Sequence, residues 1–468
     1  MPIVSAPEES LRVSYSGVRG IVGTTLTPEV ARRWGRAFRI FLLRRFAHPT
    51  VLIARDTRPS GPELTEALIE GLGELAQIDL GVVPTPTAQF ALDSFRVESA
   101  VVVTASHNPL QWNGFKFMLR PQDSAGPTGM VLDGPQIKEL MALVDGDPEA
   151  GAAARASRQD RHAEILQAHR EAVLAQIDAS KVRSRRFRVA YDSGQGAGRE
   201  STLALLESLN CQVFEVNAVR DSEPLPQNLE ALCHEVARQN CDLGLAQDLD
   251  ADRLALVTGR GVAPGEHLTL VLVLEHLLSR SGDDRGRCTV VKNLSTTRAV
   301  DDLVERYGAR LIEVPVGEVN LSRVLFERVT AGETAFGGEG NGGVIYPPVG
   351  LGRDSLMGIA LVLEALAIQN VPLSQRLAQL PFYVQSQRKL TPRTGAAEAY
   401  SLLEQAFPRA RSGREDGLKL ILPDRAWLAL RPSNTEPIWR LTAEASSRER
   451  ADELLDEAGR TLDISRPK

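Results

Sequence analysis

The chain has 468 residues, which at about 100–200 residues per domain predicts two to four domains. A composition of 43% hydrophobic and 24% charged residues excludes a disordered chain, and a net charge of −6 offers no basic face for nucleic acid. The four cysteines (Cys211, Cys233, Cys241, Cys288) lack C-x-x-C spacing, so neither a zinc site nor a disulfide framework is expected.

Residues 1–12 carry two acidic side chains and no apolar core of a secretory leader. The richest apolar run, residues 268–278, is broken by Glu275 and His276 and falls short of the ~20 residues that span a bilayer. A cytoplasmic protein with no membrane partner is expected. Short β-rich runs then alternate with helical patterns, which predicts an α/β architecture with mixed, mainly parallel sheets. Residues 51–54 read as a strand ending in the turn Arg55-Asp56-Thr57-Arg58-Pro59-Ser60-Gly61, and residues 62–75 carry apolar side chains at helical spacing. Residues 100–103 form a second buried strand that ends in a polar turn. Residues 144–161, rich in Ala, Gly, Asp and Arg, read as a linker into a charged helix over 163–179.

A second unit runs from strand 187–190 through the Gly-rich turn 192–198, helix 200–209 and strand 212–216 to strands 243–246 and 254–257. A third opens with helix 268–278 and continues with strand 289–292, helix 297–307, strand 310–313, a Gly-rich loop and helix 355–367. From about residue 382 the order changes to helix 396–407, strands 418–422 and 427–431, a further strand and helix 448–460, which predicts a C-terminal α+β domain. The expected boundaries are 1–150, 160–258 and 259–372 for three related α/β domains and 380–468 for the last.

Four loops carry residues suited to chemistry. In Thr104-Ala105-Ser106-His107-Asn108-Pro109, Ser106 follows a buried strand, where backbone N–H groups could cradle an anion and leave Oγ exposed. A plain turn fits that segment equally well. A Ser–His pair is not expected, because neighbours on an extended backbone point to opposite sides. Lys116, ten residues on, supplies a cation suited to a phosphorylated serine. In Asp248-Leu249-Asp250-Ala251-Asp252-Arg253, alternate aspartates on an extended segment would put three carboxylates on one side, a hard oxygen cluster for Mg²⁺. An EF-hand fails, since Arg253 and Gly259 stand where Gly and Glu are needed. A solvated acidic loop is disfavoured by the mutual repulsion of three like charges.

The third loop, Gly337-Gly338-Glu339-Gly340-Asn341-Gly342-Gly343, holds a formal G-x-G-x-x-G, yet Val344-Ile345-Tyr346 and two prolines follow where a dinucleotide site needs a helix. A Gly-rich hairpin is the favoured reading, and its Glu339 and Asn341 would suit vicinal hydroxyls of a sugar. The fourth, Arg431-Pro432-Ser433-Asn434-Thr435-Glu436-Pro437, is a donor-rich cup for phosphate. Ser433 and Glu436 have capping-box spacing, but Trp439, Leu441, Ala443 and Ala445 alternate afterwards as a strand. No P-loop, H-E-x-x-H or G-x-S-x-G occurs.

In this order, together with Gly17-Val18-Arg19-Gly20 and the turn at 55–61, the loops resemble the α-D-phosphohexomutase family, the phosphoglucomutases and phosphomannomutases, over nearly the whole chain. The resemblance implies four domains around a central cleft, with Ser106 carried as phosphoserine and Mg²⁺ held between it and Asp248, Asp250 and Asp252. Its implied catalytic set is Ser106, Lys116, Arg253 and Arg19. Its implied substrate-binding set is Glu339, Asn341, Arg431, Ser433, Asn434 and Thr435. The phosphate would pass from Ser106 to a hexose phosphate, and the other phosphate of the resulting bisphosphate would return to Ser106. The net change is between 6- and 1-phosphate, with hexose 1,6-bisphosphate as activator.

The commoner family pattern has Ser two residues after the loop Glu and His two residues later; here those places hold Asn341 and Gly343. The missing His moves the acid/base role toward Lys116. The Gly-Glu-Gly-Asn-Gly-Gly form, with Val314-Pro315-Val316-Gly317-Glu318-Val319-Asn320 upstream, is similar to the archaeal-type phosphoglucosamine mutase branch. Glucosamine phosphate is the first expected substrate, with mannose or glucose phosphate second. The competing classes are a Mg²⁺-dependent sugar phosphatase using Ser106 as a transient nucleophile and a non-catalytic sugar-phosphate binder.

Overall fold

Unbroken apolar runs where both faces are covered, and alternating ones where only one is, sort the strands into four sheets. The structure, a computed structural model, describes residues 11–14, 17–121, 128–146, 157–432 and 438–462. The first sheet contains β1 (Arg12–Ser14), β2 (Gly17–Ile21), β3 (Thr50–Arg55), β4 (Ala76–Val82), β5 (Ser99–Val103), β6 (Trp112–Leu119), β7 (Met130–Val131) and β8 (Arg158–Asp160). Its order is β1-β2-β6-β5-β3-β4-β8, with β7 on β6. β3 runs parallel to β4 and β5, whereas β6 is antiparallel to both β2 and β5. Every residue of β5 is buried, because helices Pro28–Leu43 and Gly61–Leu72 cover one face of the sheet and helix Thr85–Ser94 the other.

The second and third sheets repeat one topology. The second has β9 (Arg188–Asp192), β10 (Gln212–Glu215), β11 (Leu243–Gln247) and β12 (Leu254–Thr258) in the order β10-β9-β11-β12. The third has β13 (Cys288–Asn293), β14 (Arg310–Val314), β15 (Thr334–Glu339) and β16 (Gly343–Ile345) in the order β14-β13-β15-β16. In each, three strands are parallel and the last turns back antiparallel. Helices His267–Arg280 and Ser355–Gln369 are buried almost all round and form one continuous core with both sheets. The fourth sheet is antiparallel: β17 (Val384–Leu390), β18 (Arg411–Gly413), β19 (Leu418–Ile421), β20 (Trp427–Pro432) and β21 (Trp439–Ala445), ordered β17-β21-β20-β19-β18. Helices Ala396–Ala406 and Arg448–Thr461 pack their buried Leu and Ala side chains into its core.

Three expectations change. The stretch expected as a linker begins inside helix Gly134–Asp145 and ends in β8, an edge strand on β4; residues 147–156 lie outside the described residues. The charged helix expected over 163–179 is two helices, His162–Leu174 and Ala179–Arg185, the second started by Asp178 accepting from the Lys181 N–H. The helix expected to reach 75 stops at Leu72, where Gly73 takes a φ of 62°. Among the described residues no helix is long and apolar enough to cross a membrane.

The C-terminal ends of β5, β11 and β15 deliver the Ser106, Asp248 and Glu339 segments to one region, as open parallel sheets do. Ser106, Lys116, Arg253, Glu339 and, from the fourth sheet, Arg431 line a single cleft of about 640 Å³.

Candidate active site

The serine loop is held by Arg58, a residue of the turn at 55–61 to which the sequence assigns no role. Arg58 is 1% exposed and uses all five guanidinium donors. Nε donates to Asp56 Oδ2 (3.1 Å), Nη1 to the carbonyls of Pro109 (2.7 Å) and Trp112 (2.8 Å), and Nη2 to those of Ser106 (2.7 Å) and Asn108 (2.6 Å). Thr104 Oγ1 donates to Asp56 Oδ2 at 2.6 Å and accepts from the Ser106 N–H at 2.8 Å. The turn at 55–61 is therefore the clamp that shapes the serine loop. Arg58→Leu would remove the guanidinium donors from four carbonyls and leave the buried Asp56 without its paired cation. It should destabilise the fold by about 3–5 kcal/mol in denaturant titrations. A loss under about 1 kcal/mol would remove Arg58 as the anchor.

Ser106 itself has φ 52°, a left-handed conformation that a non-glycine residue holds only where its surroundings enforce it. Its side chain is not exposed as expected but buried at the cleft wall, with Oγ 3.4 Å from Asp248 Oδ2. The extended-backbone argument against a Ser–His pair does not apply to this conformation, and His107 Nδ1 lies 3.4 Å from Oγ. That nitrogen, however, accepts from Arg253 Nη2 at 2.7 Å, and burial together with Arg253 pushes the His107 pKa far down. His107 is neutral, and its lone pair is directed to Arg253.

The three aspartates meet by a different geometry from the one expected. The chain is not extended between β11 and β12; it turns, with Ala251 at φ 54° and its N–H on the Asp248 carbonyl (3.1 Å). The turn folds ligand oxygens of Asp248, Asp250 and Asp252 to within 4.8 Å of one another. All three residues are buried, which excludes a solvated acidic loop. The Gly-rich turn at 192–198 makes this packing possible: a Cβ on Gly196 would lie 2.7 Å from the Leu249 carbonyl oxygen, and one on Gly198 2.5 Å from Gln247 Oε1.

Lys116 Nζ, on β6, reaches Asp250 Oδ2 (2.6 Å) and Asp252 Oδ2 (3.2 Å), and Thr85 Oγ1 donates to Asp250 Oδ2 (2.8 Å). Burial, and then the like charges of Asp252 and Asp250, push the Asp248 pKa well up. Burial works the same way on Asp250, but Lys116 outweighs it and holds that carboxyl below the usual range. Burial opposes charge on Lys116, yet Asp250 and Asp252 hold its pKa above the usual lysine value. Asp250 Oδ1 and Asp252 Oδ1 are buried with no hydrogen-bond partner. Two unpartnered hard oxygens, a third carboxylate beside them and Ser106 Oγ adjacent form a donor set that fits Mg²⁺.

Glu339 ends β15, and the turn through Gly340, Asn341 and Gly342 leads into β16, so the Gly-rich segment is the expected hairpin. Glu339 Oε1 accepts from Asn293 Nδ2 (2.8 Å) and Oε2 from Arg353 Nη1 (2.8 Å). Asn341 lines the cleft beside it, with Nδ2 3.4 Å from Glu339 Oε2. Arg353, which the sequence does not flag, also binds Asp252 through Nη2 (2.5 Å) and Glu318 through Nε (3.0 Å).

Arg253 reaches Glu223 Oε1 through Nη1 (2.6 Å), and Ser222 Oγ donates to the His107 carbonyl. The loop bearing Ser222 and Glu223 is thereby joined to the serine loop. Arg19 donates to Asn108 Oδ1 at 2.5 Å, and burial lowers its pKa to about 10. Arg431 lies 3.6 Å from Asp416. Ser433, Asn434 and Thr435 lie outside the described residues.

Four family models described as phosphoglucomutase/phosphomannomutase match the chain in order. Alpha/beta/alpha domains I, II and III match residues 12–142, 167–261 and 264–383, and the C-terminal domain matches 390–459. The chain is 34% identical to a Thermococcus kodakarensis protein named phosphoglucomutase/phosphomannomutase, over 94% of this chain and 96% of that one. It is also 34% identical to a Methanopyrus kandleri protein named "probable phosphoglucosamine mutase", over 94% and 95%. Among solved structures, a phosphoglucomutase/phosphomannomutase family protein from Burkholderia thailandensis superposes with a TM-score of 0.80 at 29% identity, covering 96% of this chain and 98% of that one.

Proposed function

Since the chain belongs to the phosphoglucomutase/phosphomannomutase family, we propose that it interconverts hexose 6-phosphates and hexose 1-phosphates with Ser106 as the phosphoryl carrier. The enzyme is an intramolecular phosphotransferase. The observation that carries the reading is Ser106 Oγ, 3.4 Å from Asp248 Oδ2, on the wall of a cleft that Arg431 also lines.

In the forward half-reaction the P–Oγ bond of phosphoserine 106 breaks as a sugar hydroxyl oxygen bonds to phosphorus, and the proton of that hydroxyl ends on the departing Ser106 Oγ. The resulting bisphosphate reverses in the cleft, and its other phosphoryl group returns to Ser106. Mg²⁺ held by Asp248, Asp250, Asp252 and the serine phosphate would supply Lewis-acid compensation of charge on the transferring group. The chain's own residues position it. Arg58 fixes the serine loop, and Lys116, whose Nζ reaches Asp250 and Asp252, supplies a positive charge and donors beside the transferring phosphoryl group. Arg253 and Arg19 flank the serine loop, and Arg431 binds the phosphate that is not reacting. Glu339 and Asn341 face the ring hydroxyls.

Glucosamine phosphate is the first substrate on this reading, supported by the Glu339–Asn341 loop form and by the name of the Methanopyrus kandleri relative. The test is a parallel assay on glucosamine, mannose and glucose 6-phosphates with inorganic phosphate followed alongside. The 1-phosphates should form, glucosamine fastest, without phosphate release; steady release without 1-phosphate would make the chain a phosphatase. Arg431→Ala should raise KM about ten- to hundredfold for all three sugars, because a lost charge-assisted bond to phosphate is blind to the ring. A change confined to one sugar would assign Arg431 to the ring instead.

A further inference from the structure

Gly343 stands where the commoner family pattern has a histidine, and another side chain fills the space this leaves. A Cβ built on Gly343 would lie 2.3 Å from Arg353 Cδ, 2.9 Å from Arg353 Cγ and 3.1 Å from Asn341 Oδ1. Carbon atoms favour separations of about 3.5–4.0 Å, so the Arg353 stem runs where any side chain at 343 would begin. The guanidinium beyond that stem is buried and bridges Glu339 Oε2, Asp252 Oδ2 and Glu318 Oε2. Glu318 opens helix Glu318–Thr330 and belongs to the Val-Pro-Val-Gly-Glu-Val-Asn run to which the sequence assigns no role.

Three buried carboxylates around one guanidinium are a poor device for stability, because removing such charges from water offsets most of their attraction. They do fix geometry: the planar fork sets Glu339 Oε2 and Asp252 Oδ2 at defined positions on one rigid group. Two N–H bonds of the fork remain for other partners, and Arg353 lines the cleft.

We propose that Arg353 is the positioning residue of the ring-reading loop. It aligns the Glu339 carboxylate with the aspartate cluster, is itself oriented by Glu318, and requires glycine at 343. The inference rests on the phosphohexomutase reading, in which Glu339 accepts from ring hydroxyls. Misplacing Glu339 removes a contact made in both the ground and transition states, so the effect should fall on KM more than on kcat.

The test is a cycle of Gly343→Ala, Arg353→Ala and the double variant in the full chain, assayed at saturating Mg²⁺ with one hexose phosphate. Each single change should raise KM about tenfold or more, the scale of one charge-assisted hydrogen bond. In the Arg353→Ala background the new methyl has room, so Gly343→Ala should add less than about twofold. Arg353→Lys keeps the stem and the charge but lacks the fork, and it should remain impaired. This variant and Gly343→Ala carry the test if Arg353→Ala does not fold. An unchanged KM, full recovery by Lys, or equal harm from Gly343→Ala in both backgrounds would overturn the proposal. An active parent with any of those results removes only the role of Arg353, whereas a parent without mutase turnover removes the functional reading as well.

Discussion

Ser106→Ala is expected to abolish turnover, by about 10⁴-fold or more, and to leave the protein without a phosphoryl group while its fold persists. The loss should be that large because the proposed route passes twice through Oγ, which accepts the phosphoryl group and returns it. The fold should persist because the loop does not depend on that oxygen. Thr104 Oγ1 holds the Ser106 N–H, Arg58 holds its carbonyl, and the contacts of Oγ with Asp248 and His107 are both long, at 3.4 Å. Ala at the same left-handed φ carries a backbone cost close to that of Ser, so stability should change by less than about 1 kcal/mol. Intact-mass measurement and unfolding titrations check both parts. Near-parental turnover would exclude Ser106 as the carrier.

The second large effect concerns the aspartate turn. Asp250→Asn keeps the shape of the side chain but removes a hard anionic ligand and the charge that Lys116 Nζ meets at 2.6 Å. The Mg²⁺ concentration needed for half-maximal activity should rise on the order of a hundredfold, at the upper end of what even supporting residues of metal sites cost. Zn²⁺ should substitute poorly, because all the protein ligands are hard oxygens. Mg²⁺ should also raise the unfolding temperature of the parent, since it binds only the folded turn, and raise that of Asp250→Asn much less at the same concentration.

Asp248→Asn provides a contrast of opposite sign. Burial and two neighbouring carboxylates already disfavour charge on Asp248, so its neutral replacement should leave the metal-free fold as stable as the parent or more so. The Mg²⁺-dependent gain in unfolding temperature should still shrink. Unchanged Mg²⁺ responses in both variants would remove the aspartates as ligands.

Much of this site is legible as strand-then-polar-turn punctuation. The apolar runs that become β5 and β11 stop at polar segments that carry Ser106 and the aspartates, and Arg431 lies at the end of strand β20 itself. The same logic misplaces the aspartates, because period-two alternation assumes the strand continues, whereas Ala251 reverses the chain within four residues of Asp248. Helix Pro28–Leu43 carries a readable start, Thr27-Pro28-Glu29 with Thr27 Oγ1 accepting from the Val30 N–H. Its buried Ala31, Trp34, Phe38, Phe41 and Leu42 recur at helical spacing, with Arg32, Arg33, Arg36 and Arg39 falling between them outside the buried face.

Arg58 lies in the turn at 55–61 that the resemblance includes but had no role there, and Arg353 had no signal in the sequence. Arg58 meets the Ser106 carbonyl 48 residues away and Arg353 meets Asp252 101 residues away, so their roles exist only once the sheets have assembled. Gly343 shows the same limit from the other side. The sequence reveals a missing side chain, and only the packing shows that Arg353 occupies its place.

The central claim, that phosphate travels through Ser106 and stays with the sugar, is tested most directly by single-turnover label transfer. Protein carrying an isotopically labelled phosphoryl group on Ser106 is mixed with unlabelled glucosamine 6-phosphate and quenched at successive times. The label should leave the protein, appear first in the hexose bisphosphate and then in the hexose monophosphates, with inorganic phosphate at background. Label released as inorganic phosphate, or label that stays on Ser106 while turnover proceeds, would contradict the account.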